Sequence, residues 1–450
     1  MSPFFSDIAS RLSRPLGKAR RAVMTAVAAA VFSLSLPLAG WPSGSGGMAA
    51  AVLFIALFAV FLPLFLRELK NVSLLSFLAA ALILATALFV RFSVLDYRSG
   101  DYNDFLSEWL AYFSSNGGFS GLSGAIGDYN TPYLYFLALF SYLPVSGLYL
   151  IKLLSVTFDL ILTLFAMKTL RHFSGGDAPP LLALLIVALM PTFWLNSALW
   201  GQCDSIYSAL ILISFLCALK QRGLWCVIFA AAAFSFKLQT VFFLPVLLIF
   251  LILRRIKWTD LLAFPATFFL MILPALIAGR PLASVAGIYS SQIRQYSQYL
   301  VLNAPTVMNF APRGARAEVW SACGIAAASL FILAVTVFAR LRRARLGDRE
   351  LLLCAALLLC AVPFLLPSMH DRYFYPAELF MILFSLIFPK RIYAFLLCSF
   401  ASYTGYHAYL TRSFLVDMRL SSIIMLICIL IAAARLFIPS TGRDGDIMST

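Results

Sequence analysis

Three aspartates in the first third of the chain have the chemistry of a general base. Asp101, Asp104 and Asp128 lie in its longest polar stretch before the middle, and a positioned carboxylate can accept a proton from an attacking hydroxyl. Apolar residues recur at helical spacing after Asp101 and predict an amphipathic helix on the bilayer surface: Phe105, Leu106, Trp109, Leu110 and Phe113. On such a helix Asp101 could instead be an N-cap that accepts hydrogen bonds from first-turn amides. The periodicity leaves both roles open.

The segment SALWGQCDSIY, residues 197–207, places polar residues between two apolar runs. Sugars have apolar faces and many hydroxyls, so Trp200 could form a platform for a sugar ring while Gln202 and Asp204 bond its hydroxyls. The alternative is a turn at the membrane interface, with an interfacial Trp, a Gly that allows the turn and polar side chains that face water.

Lys237 lies in an apolar stretch, SFKLQ, with no acidic residue within ten positions. A phosphate group would be a natural counter-ion for an ammonium group in such a setting. The alternative is that the long side chain reaches the membrane surface and keeps its charge in water.

The segment SMHDRYFYP places His370, Asp371 and Arg372 together between two apolar runs. Asp371 and Arg372 could neutralise each other. An arginine on the outer face of a membrane nevertheless runs against the positive-inside trend, so its presence predicts an anionic partner.

A membrane-embedded scaffold must position these residues. The 450-residue chain is 62% hydrophobic and 12% charged, its mean hydropathy is +0.92, and many apolar runs can cross a hydrocarbon core of about 30 Å. The sequence therefore predicts an all-α polytopic membrane protein. Its net charge of +15 comes from Lys and Arg clusters between apolar runs, as the positive-inside rule produces, so nucleic-acid binding is not expected.

The cysteine and histidine patterns predict no metal centre. The eight Cys are scattered, mostly inside apolar runs, and none forms a Cys-x-x-Cys pair, so neither a disulfide framework nor a zinc site is indicated. We interpret them as small core residues. The three His, at positions 172, 370 and 407, are too widely separated in sequence to suggest a histidine-rich metal site.

Clusters of positive charge predict the topology, because each crossing changes sides and Lys and Arg gather in the cytoplasm. The N-terminal cluster, from Arg11 to Arg21, precedes three predicted spans at 22–38, 48–66 and 74–90. Parity through the later clusters gives about 14 spans with both termini cytoplasmic. The polar segments described above then all fall on the exoplasmic face.

Two apolar segments have alternative interpretations. Residues 133–143 form a run of roughly 11 residues between two prolines, too short to cross, so we expect it to lie in the exoplasmic interface while 148–167 crosses. The first span could be a secretory signal peptide. A long charged tail, the lack of a clean Ala-x-Ala site and an immediate second span favour an anchor.

The motifs follow one another in an order that is typical of a known family. A carboxylate in the first long loop is followed by YNTPYLY, NSALWGQCDS, FKLQTVFFLP and MHDRYFYPAELF. This order and spacing, over residues 96–380, resembles the bacterial relatives of GPI mannosyltransferase II in the GT-C glycosyltransferase superfamily. It is also similar to the lipid-linked-glucose-dependent glucosyltransferases of N-glycan assembly. The chain departs from the pattern at Leu238, where Pro is expected, at Asp371, where Glu is more common, and in two extra N-terminal spans.

The resemblance implies an enzyme that transfers a hexose, with mannose favoured, from a polyprenyl phosphate to a glycan, lipid or protein acceptor, usually with inversion. It implies Asp101 as the base, with Asp104 and Asp128 behind it. Lys237, Arg372 and His370 would hold the donor phosphate. The sugar-binding residues that it implies are Trp200, Gln202, Asp204, Gln239 and Tyr133.

The charge pattern and the resemblance together predict the organisation of the chain. Residues 1–72 would form a cytoplasmic tail and two N-terminal spans, 73–440 a GT-C-like bundle with exoplasmic loops at 95–146 and 280–316, and 441–450 a cytoplasmic tail. The expected location is a bacterial inner membrane, with the active site on the periplasmic side.

The expected partners are the lipid-linked donor, the acceptor and the bilayer. No cofactor is required, because the leaving phosphate already has cationic partners, and a divalent ion on Asp101 and Asp104 is left open. The alternative function is a transporter or flippase of a lipid-linked saccharide. Such a protein would show an internal repeat with broken helices in matching positions, and the sequence shows no such repeat.

Overall fold

The computed structural model describes residues 13–438, and within them nearly all of the regular secondary structure is helical. The regular β-structure of this part is one parallel pair of two-residue strands, β1 Val301–Leu302 and β2 Met369–His370. Arg11 of the predicted basic cluster and the predicted tail at 441–450 lie outside the described residues.

Helices dominate because lipid offers no hydrogen-bond partners, so each apolar segment must satisfy its own backbone groups. In chain order the α-helices are α1 Lys18–Ser35, α2 Gly47–Leu66, α3 Leu74–Ser93, α4 Ser107–Ser115, α5 Thr131–Phe140, α6 Gly147–Phe173, α7 Ala178–Leu189, α8 Pro191–Trp194, α9 Asp204–Leu219, α10 Gly223–Phe236, α11 Leu244–Ile252, α12 Ala263–Ile277, α13 Leu282–Tyr296, α14 Ala317–Leu341, α15 Asp348–Leu365, α16 Tyr375–Ile387, α17 Tyr393–Thr411 and α18 Met418–Phe437.

Short turns of other helix types join several of these elements. They are 3-10 helical at Leu36–Ala39, Gly118–Ser123, Leu238–Phe243, Trp258–Leu262, Val307–Phe310 and Pro389–Arg391, and π-helical at Tyr102–Leu106 and Leu195–Trp200.

Among the described residues, seven helical segments are long and apolar enough to cross a membrane. They contain α1, α2, α3, α6, α12, α14 and α18. An eighth span forms if α7 is joined to the segment Pro191–Trp200, from which it is bent by 47°. The protein is therefore an all-α membrane protein, and the spans predicted at 22–38, 48–66, 74–90 and 148–167 are confirmed as helices.

The chain divides into two compact units. Within the described residues the first unit comprises 13–102 and 144–205. Its helices α2, α3, α6 and α7 pack against one another, and small residues such as Ala80 and Ala87 of α3 are fully buried. The close approach of helices at small side chains is the usual packing mode in membranes.

The second unit comprises 103–143 and 206–438 within the described part of the chain. Helices α15, α16, α17 and α18 pack together, as do α10 and α12. All of α16 and nearly all of α15 is buried, so these two helices form the centre of the unit. The predicted boundary at residue 72 stays a prediction.

The loop before α6 agrees with two sequence expectations. The segment 133–143 does not span, since α5 has 10 residues and is about 15 Å long, and Leu134 and Leu137 on this helix pack against protein. Residues 100–115 are helical as expected, with a π-helical turn at Tyr102–Leu106 in which Phe105 is 47% exposed. The location of both helices at the bilayer surface stays a prediction.

Candidate functional site

Lys152 of α6 anchors the backbone that leads to Asp101 in the first unit. Its ammonium group is fully buried and donates to the carbonyl oxygens of Val94 (2.8 Å), Leu95 (2.9 Å) and Tyr97 (2.7 Å). These carbonyls follow α3, whose last turn leaves acceptors without intrahelical donors. A buried lysine therefore caps this helix end.

Asp96 holds the same loop through a second set of bonds. Its carboxylate accepts from the backbone N–H of Ser43 at 2.9 Å and from the hydroxyl of Tyr149. Burial acts to raise the pKa of Asp96, but the hydrogen bonds from Tyr149 and Ser43 outweigh it and lower the pKa below the usual 3.8. Asp96 is thus ionised at neutral pH and serves the loop as an acceptor.

Asp101 lies at the end of this loop, where Gln202 Nε2 donates a hydrogen bond to its Oδ2. The helical segment here already begins at Gly100. Its cap is Ser99, whose Oγ accepts from the backbone N–H of Tyr102 at 3.2 Å. The N-cap interpretation of Asp101 is therefore wrong, and its carboxylate is half-buried beside an amide donor.

The turn around residue 200 is shaped by local backbone geometry. Leu195–Trp200 is a π-helical turn that ends at Gly201, whose φ of 79° is in the left-handed region that favours glycine. The N–H of Gln202 returns to the carbonyl of Asn196 at 2.9 Å. Asn196 Nδ2 also donates to Asp204 Oδ2 at 2.8 Å, so one side chain closes the turn.

The structure places the predicted sugar-binding residues of this turn in different settings. Trp200 is fully buried and its carbonyl accepts from Ser99 Oγ at 2.7 Å, so its ring offers no exposed platform in this conformation. Asp204 is also fully buried. Gln202 contacts a proposed catalytic group, since its Nε2 donates to Asp101 Oδ2. Sugar binding by Trp200 and Asp204 stays a prediction that requires the turn to open.

A buried ion pair that sequence reasoning missed supports the turn. Arg91 Nη2 of α3 lies 2.9 Å from Asp159 Oδ2 of α6, and Ser197 Oγ donates to the same oxygen at 2.5 Å. Arg91 also donates to the carbonyl of Ala188 at 2.8 Å. The sequence does show an ionisable residue inside each of two predicted spans, which could have indicated a pair. The two residues are 68 positions apart, so their pairing cannot be read along the chain.

Lys237 lies between two tyrosine rings in the second unit. Its ammonium nitrogen is 5.6 Å from the ring centroid of Tyr129 and 5.7 Å from that of Tyr207, within the range of cation–π attraction. Lys237 is 6% exposed. The alternative in which its side chain carries the charge out to bulk water does not fit this burial.

Tyr129 belongs to a chain of aromatic residues. Its ring meets Trp109 edge-on at 5.4 Å and Tyr133 at 5.0 Å. Trp109 in turn packs on Gly127, where a Cβ would lie 2.7 Å from the indole. Tyr133 is 1% exposed and packs against Tyr129. In this structure its ring therefore has no exposed face for the predicted sugar contact.

Helix α13 ties this aromatic loop to the end of α10. Asn130 Nδ2 donates to the hydroxyl of Tyr289 at 3.2 Å, and that hydroxyl donates to the carbonyl of Phe234. Gln292 Nε2 donates to the carbonyl of Asp128. The backbone of Asp128 is thus held in place while its side chain is partly exposed, whereas Asp104 is exposed.

His370 is positioned by the small sheet. It pairs with Leu302 across the parallel strands, and its ring lies 4.5 Å from that of Tyr296 and 5.0 Å from that of Tyr373. Within the described residues, His370 Nε2 has no hydrogen-bond partner. His370 Nε2 is therefore a buried polar atom for which a bound ligand could supply the hydrogen-bond partner.

The structure brings Lys237 and Arg372 close enough to His370 to alter its titration. Burial, together with the charges of Arg372 and Lys237, lowers the pKa of His370 from 6.5 to about 3. The imidazole is therefore neutral at pH 7 and keeps one N–H donor. An anion bound here would favour the protonated ring, because it would offset the two positive charges.

Asp371 and Arg372 form a contact of 3.4 Å between Oδ1 and Nη1. Asp371 is 2% exposed, and Gly405 of α17 allows its backbone to approach, since a Cβ there would lie 3.1 Å from the Asp371 Cα. This contact agrees with the interpretation that Asp371 and Arg372 neutralise each other. At 3.4 Å it is long for a hydrogen bond, so an anionic ligand on Arg372 is also compatible with it.

Gln239 lies two residues after Lys237, in the 3-10 turn Leu238–Phe243. It is 7% exposed, and its Oε1 has no hydrogen-bond partner in the described part of the chain. A buried amide oxygen without a donor is costly, and a ligand hydroxyl would satisfy it.

Three cysteines that are scattered in sequence meet inside the second unit. The sulfur atoms of Cys360, Cys398 and Cys428 lie within 4.8 Å of one another on α15, α17 and α18, and all three residues are fully buried. The sequence did not predict this cluster. Its members are small side chains where helices pack closely, as the core interpretation expected.

Comparison of the chain with protein-family models finds no match, and comparison with curated proteins also finds none. The resemblance to GT-C glycosyltransferases therefore depends on the order and spacing of the motifs. The roles that it implies are proposals, which the geometry described above can support and experiments can test.

Proposed function

We propose that the protein is an integral-membrane glycosyltransferase. It would move a hexose, with mannose favoured, from a polyprenyl-phosphate donor to a glycan, lipid or protein acceptor at the exoplasmic face, with inversion. The observation that supports this best is the grouping of Lys237, Arg372 and His370 in the second unit.

The charges of this group favour a phosphate ligand. Lys237 and Arg372 are cationic, and His370 beside them is neutral at pH 7. A phosphate would accept charge-assisted hydrogen bonds from the two cations and a further hydrogen bond from the imidazole N–H.

The length of α10 adds a second argument. This helix has 14 residues and rises about 21 Å, roughly 9 Å less than the hydrocarbon thickness of a bilayer. If α10 begins at the cytoplasmic interface, as the charge pattern predicts, Lys237 lies below the exoplasmic interface. The phosphate of a lipid could reach that depth, because the polyprenyl chain attached to it lies in the hydrocarbon core.

The proposed reaction is a displacement at the anomeric carbon. The acceptor hydroxyl oxygen forms the new bond to this carbon, the bond to the donor phosphate oxygen breaks, and its electron pair stays on the polyprenyl phosphate. Asp101 would take the hydroxyl proton, with Asp104 and Asp128 as the other candidates. Lys237, Arg372 and His370 would stabilise the charge on the leaving phosphate, so no metal ion is needed.

Two amide side chains are the best candidates for contacts to the sugars. Gln202 already donates to Asp101 and could keep that carboxylate oriented as a base. Gln239 has an unsatisfied carbonyl oxygen within the described residues, which could accept from a sugar hydroxyl.

We also propose a GT-C-like bundle of about 14 spans in a bacterial inner membrane, with both termini cytoplasmic. Besides the eight spans above, the segments that would complete it are α9, α10, Leu238–Ile252, α15, α16 and α17. A cysteine introduced at exposed Ser123 should react with an impermeant thiol reagent from outside, and one at exposed Arg343 should not. The reverse pattern would overturn this topology.

The function is tested by incubating the purified protein in proteoliposomes with a panel of polyprenyl-phosphate sugars, with water as the acceptor of the hexose, and measuring release of polyprenyl phosphate. Release should occur with a hexose donor, be lost in Lys237→Met and persist in Lys220→Met, which changes an exposed lysine. Movement of an intact donor across the bilayer, without release, would instead identify a flippase.

A further inference from the structure

A groove in the second unit is lined by apolar residues. It lies between the 3-10 turn Gly118–Ser123 and helix α12, and its volume is about 390 Å³, within the usual range of about 300–1,000 Å³ for small-ligand sites. Its lining residues are Phe119, Leu122, Leu270, Leu273, Pro274, Ile277 and Ala278. Leu270 and Ile277 are 63% and 77% exposed, so the groove opens to the surroundings of the protein.

A buried arginine lies two residues after Ala278, the last lining residue of this groove in the sequence. Arg280 follows α12 by three residues and is 3% exposed. Its Nη1 has no hydrogen-bond partner among the described residues, and its Nε makes a long contact of 3.4 Å to Ser284 Oγ. In the same part of the chain no carboxylate forms an ion pair with it. A buried guanidinium without a counter-ion is energetically costly, so a bound anion would stabilise it.

Two tyrosines connect Arg280 to both walls of the groove. The hydroxyl of Tyr112 donates to the carbonyl of Gly121 in the 3-10 turn at 3.0 Å, and that of Tyr135 donates to the carbonyl of Met271 in α12 at 2.9 Å. Both tyrosines interact electrostatically with Arg280. The neighbouring Gly279 lies near the turn, since a Cβ added there would be 3.8 Å from the Ser123 side chain. Arg280 thus lies where the walls meet.

The start of α13 adds favourable polarity at the same point. Helix α13 has 15 residues and begins at Leu282, two residues after Arg280. The first backbone N–H groups of a helix have no intrahelical acceptor, and the helix dipole places partial positive charge there. A buried guanidinium beside a helix N-terminus is a common arrangement for binding phosphate.

We propose that the groove and Arg280 form a binding site for an anionic phospholipid, with an acyl chain in the groove and the phosphate on Arg280 and the start of α13. The exposed side chains of the groove favour an occupant drawn from the bilayer itself. This inference does not depend on the proposed transferase function, because it involves none of the residues assigned to the reaction.

The site is tested by titrating lipids into the delipidated, detergent-solubilised protein and measuring bound lipid by native mass spectrometry. Wild type should bind phosphatidylglycerol roughly tenfold or more tightly than diacylglycerol, which lacks the phosphate, and this is the ratio expected of a charge-assisted hydrogen bond. Arg280→Gln should lose this preference, and Arg280→Lys should keep part of it. Arg294→Gln, which changes an exposed arginine of α13, is the matched control and should keep all of it.

A second variant examines the groove. Ala278→Trp should fill it and weaken binding of both lipids, and this result decides the matter if Arg280→Gln fails to fold. Equal affinity of wild type for the two lipids would overturn the proposal. So would full competition by inorganic phosphate, which indicates a site for a free anion, or binding of polyprenyl phosphate alone, which indicates a donor site.

Discussion

Two buried lysines, one in each unit, show how the same residue type serves different purposes. Lys152 is fully buried in the first unit and donates to three backbone carbonyls. Lys237 in the second unit is 6% exposed and lies over two tyrosine rings, near an imidazole and an arginine. Lys152 satisfies the protein's own backbone, whereas Lys237 lies beside other side chains that could bind an anion. Burial of an ionisable residue in a membrane protein therefore does not by itself identify a functional site.

Asp101 lies in the first unit, where Lys152 has a structural role, but it is the proposed base of the reaction. Asp101→Asn should lower turnover by about 10²- to 10⁴-fold, the usual contribution of a positioned base. Donor binding should stay near wild type, because the base acts on the acceptor. Transfer and donor binding are measured in the same preparation.

Asp104→Asn is the control for disturbance of the loop, since Asp104 is exposed, and it should cost clearly less. If Asp101→Asn keeps most of its turnover while Asp104→Asn or Asp128→Asn is inactive, the base is another aspartate. Full activity in all three variants would contradict the mechanism.

The ion pair of Arg91 and Asp159 lies in the first unit and, like Lys152, has a structural role. Removing one partner, as in Asp159→Leu, should destabilise the protein by about 3–5 kcal/mol, because it leaves a buried charge uncompensated. Replacing both, as in Arg91→Met with Asp159→Leu, should recover much of this loss. Thermal unfolding in detergent measures both. Equal destabilisation by the single and double changes would show that the pair does not act as a unit.

Lys152→Met and Lys237→Met form a matched pair that tests the comparison directly. Lys152→Met should destabilise the protein by about 1–3 kcal/mol or more, because three buried carbonyls lose their donor. Lys237→Met should leave stability nearly unchanged and weaken donor binding by about 1.5–3 kcal/mol, the range for a charge-assisted hydrogen bond. Aggregation of Lys237→Met with intact donor affinity would make that lysine structural as well.

A further expected effect is a pH dependence from His370, of about the same size as the effects of the lysine variants. Its pKa is lowered from 6.5 to about 3, so between these values the unfolded chain binds a proton that the folded chain does not. Stability is therefore lost as the pH falls below 6.5, by roughly 2 kcal/mol at pH 5. His370→Gln should reduce the drop in melting temperature between pH 7 and pH 5. His172→Gln, at an exposed histidine, should not; an identical drop in all three proteins would contradict the assignment.

Much of the fold follows from the sequence, because a lipid environment leaves an apolar run little choice but a helix. The spans at 22–38, 48–66, 74–90 and 148–167 are helices for this reason. The same argument is weaker for short apolar segments. Length shows that 133–143 cannot cross, but it does not say whether α5 contacts lipid or protein, and the structure buries it against protein.

The sequence by itself determined that this is an all-α membrane protein, and it singled out polar residues that are rare in such a chain. Tertiary structure alone decided which of those residues meet. Gln202 reaches Asp101 across 101 positions, Tyr129 and Tyr207 flank Lys237, and Asp159 pairs with Arg91. Hydropathy is a local property and helix formation is local, so both can be read along the chain. The partner of a buried charge depends on how helices pack, and a different packing of the same helices would pair the same residues differently.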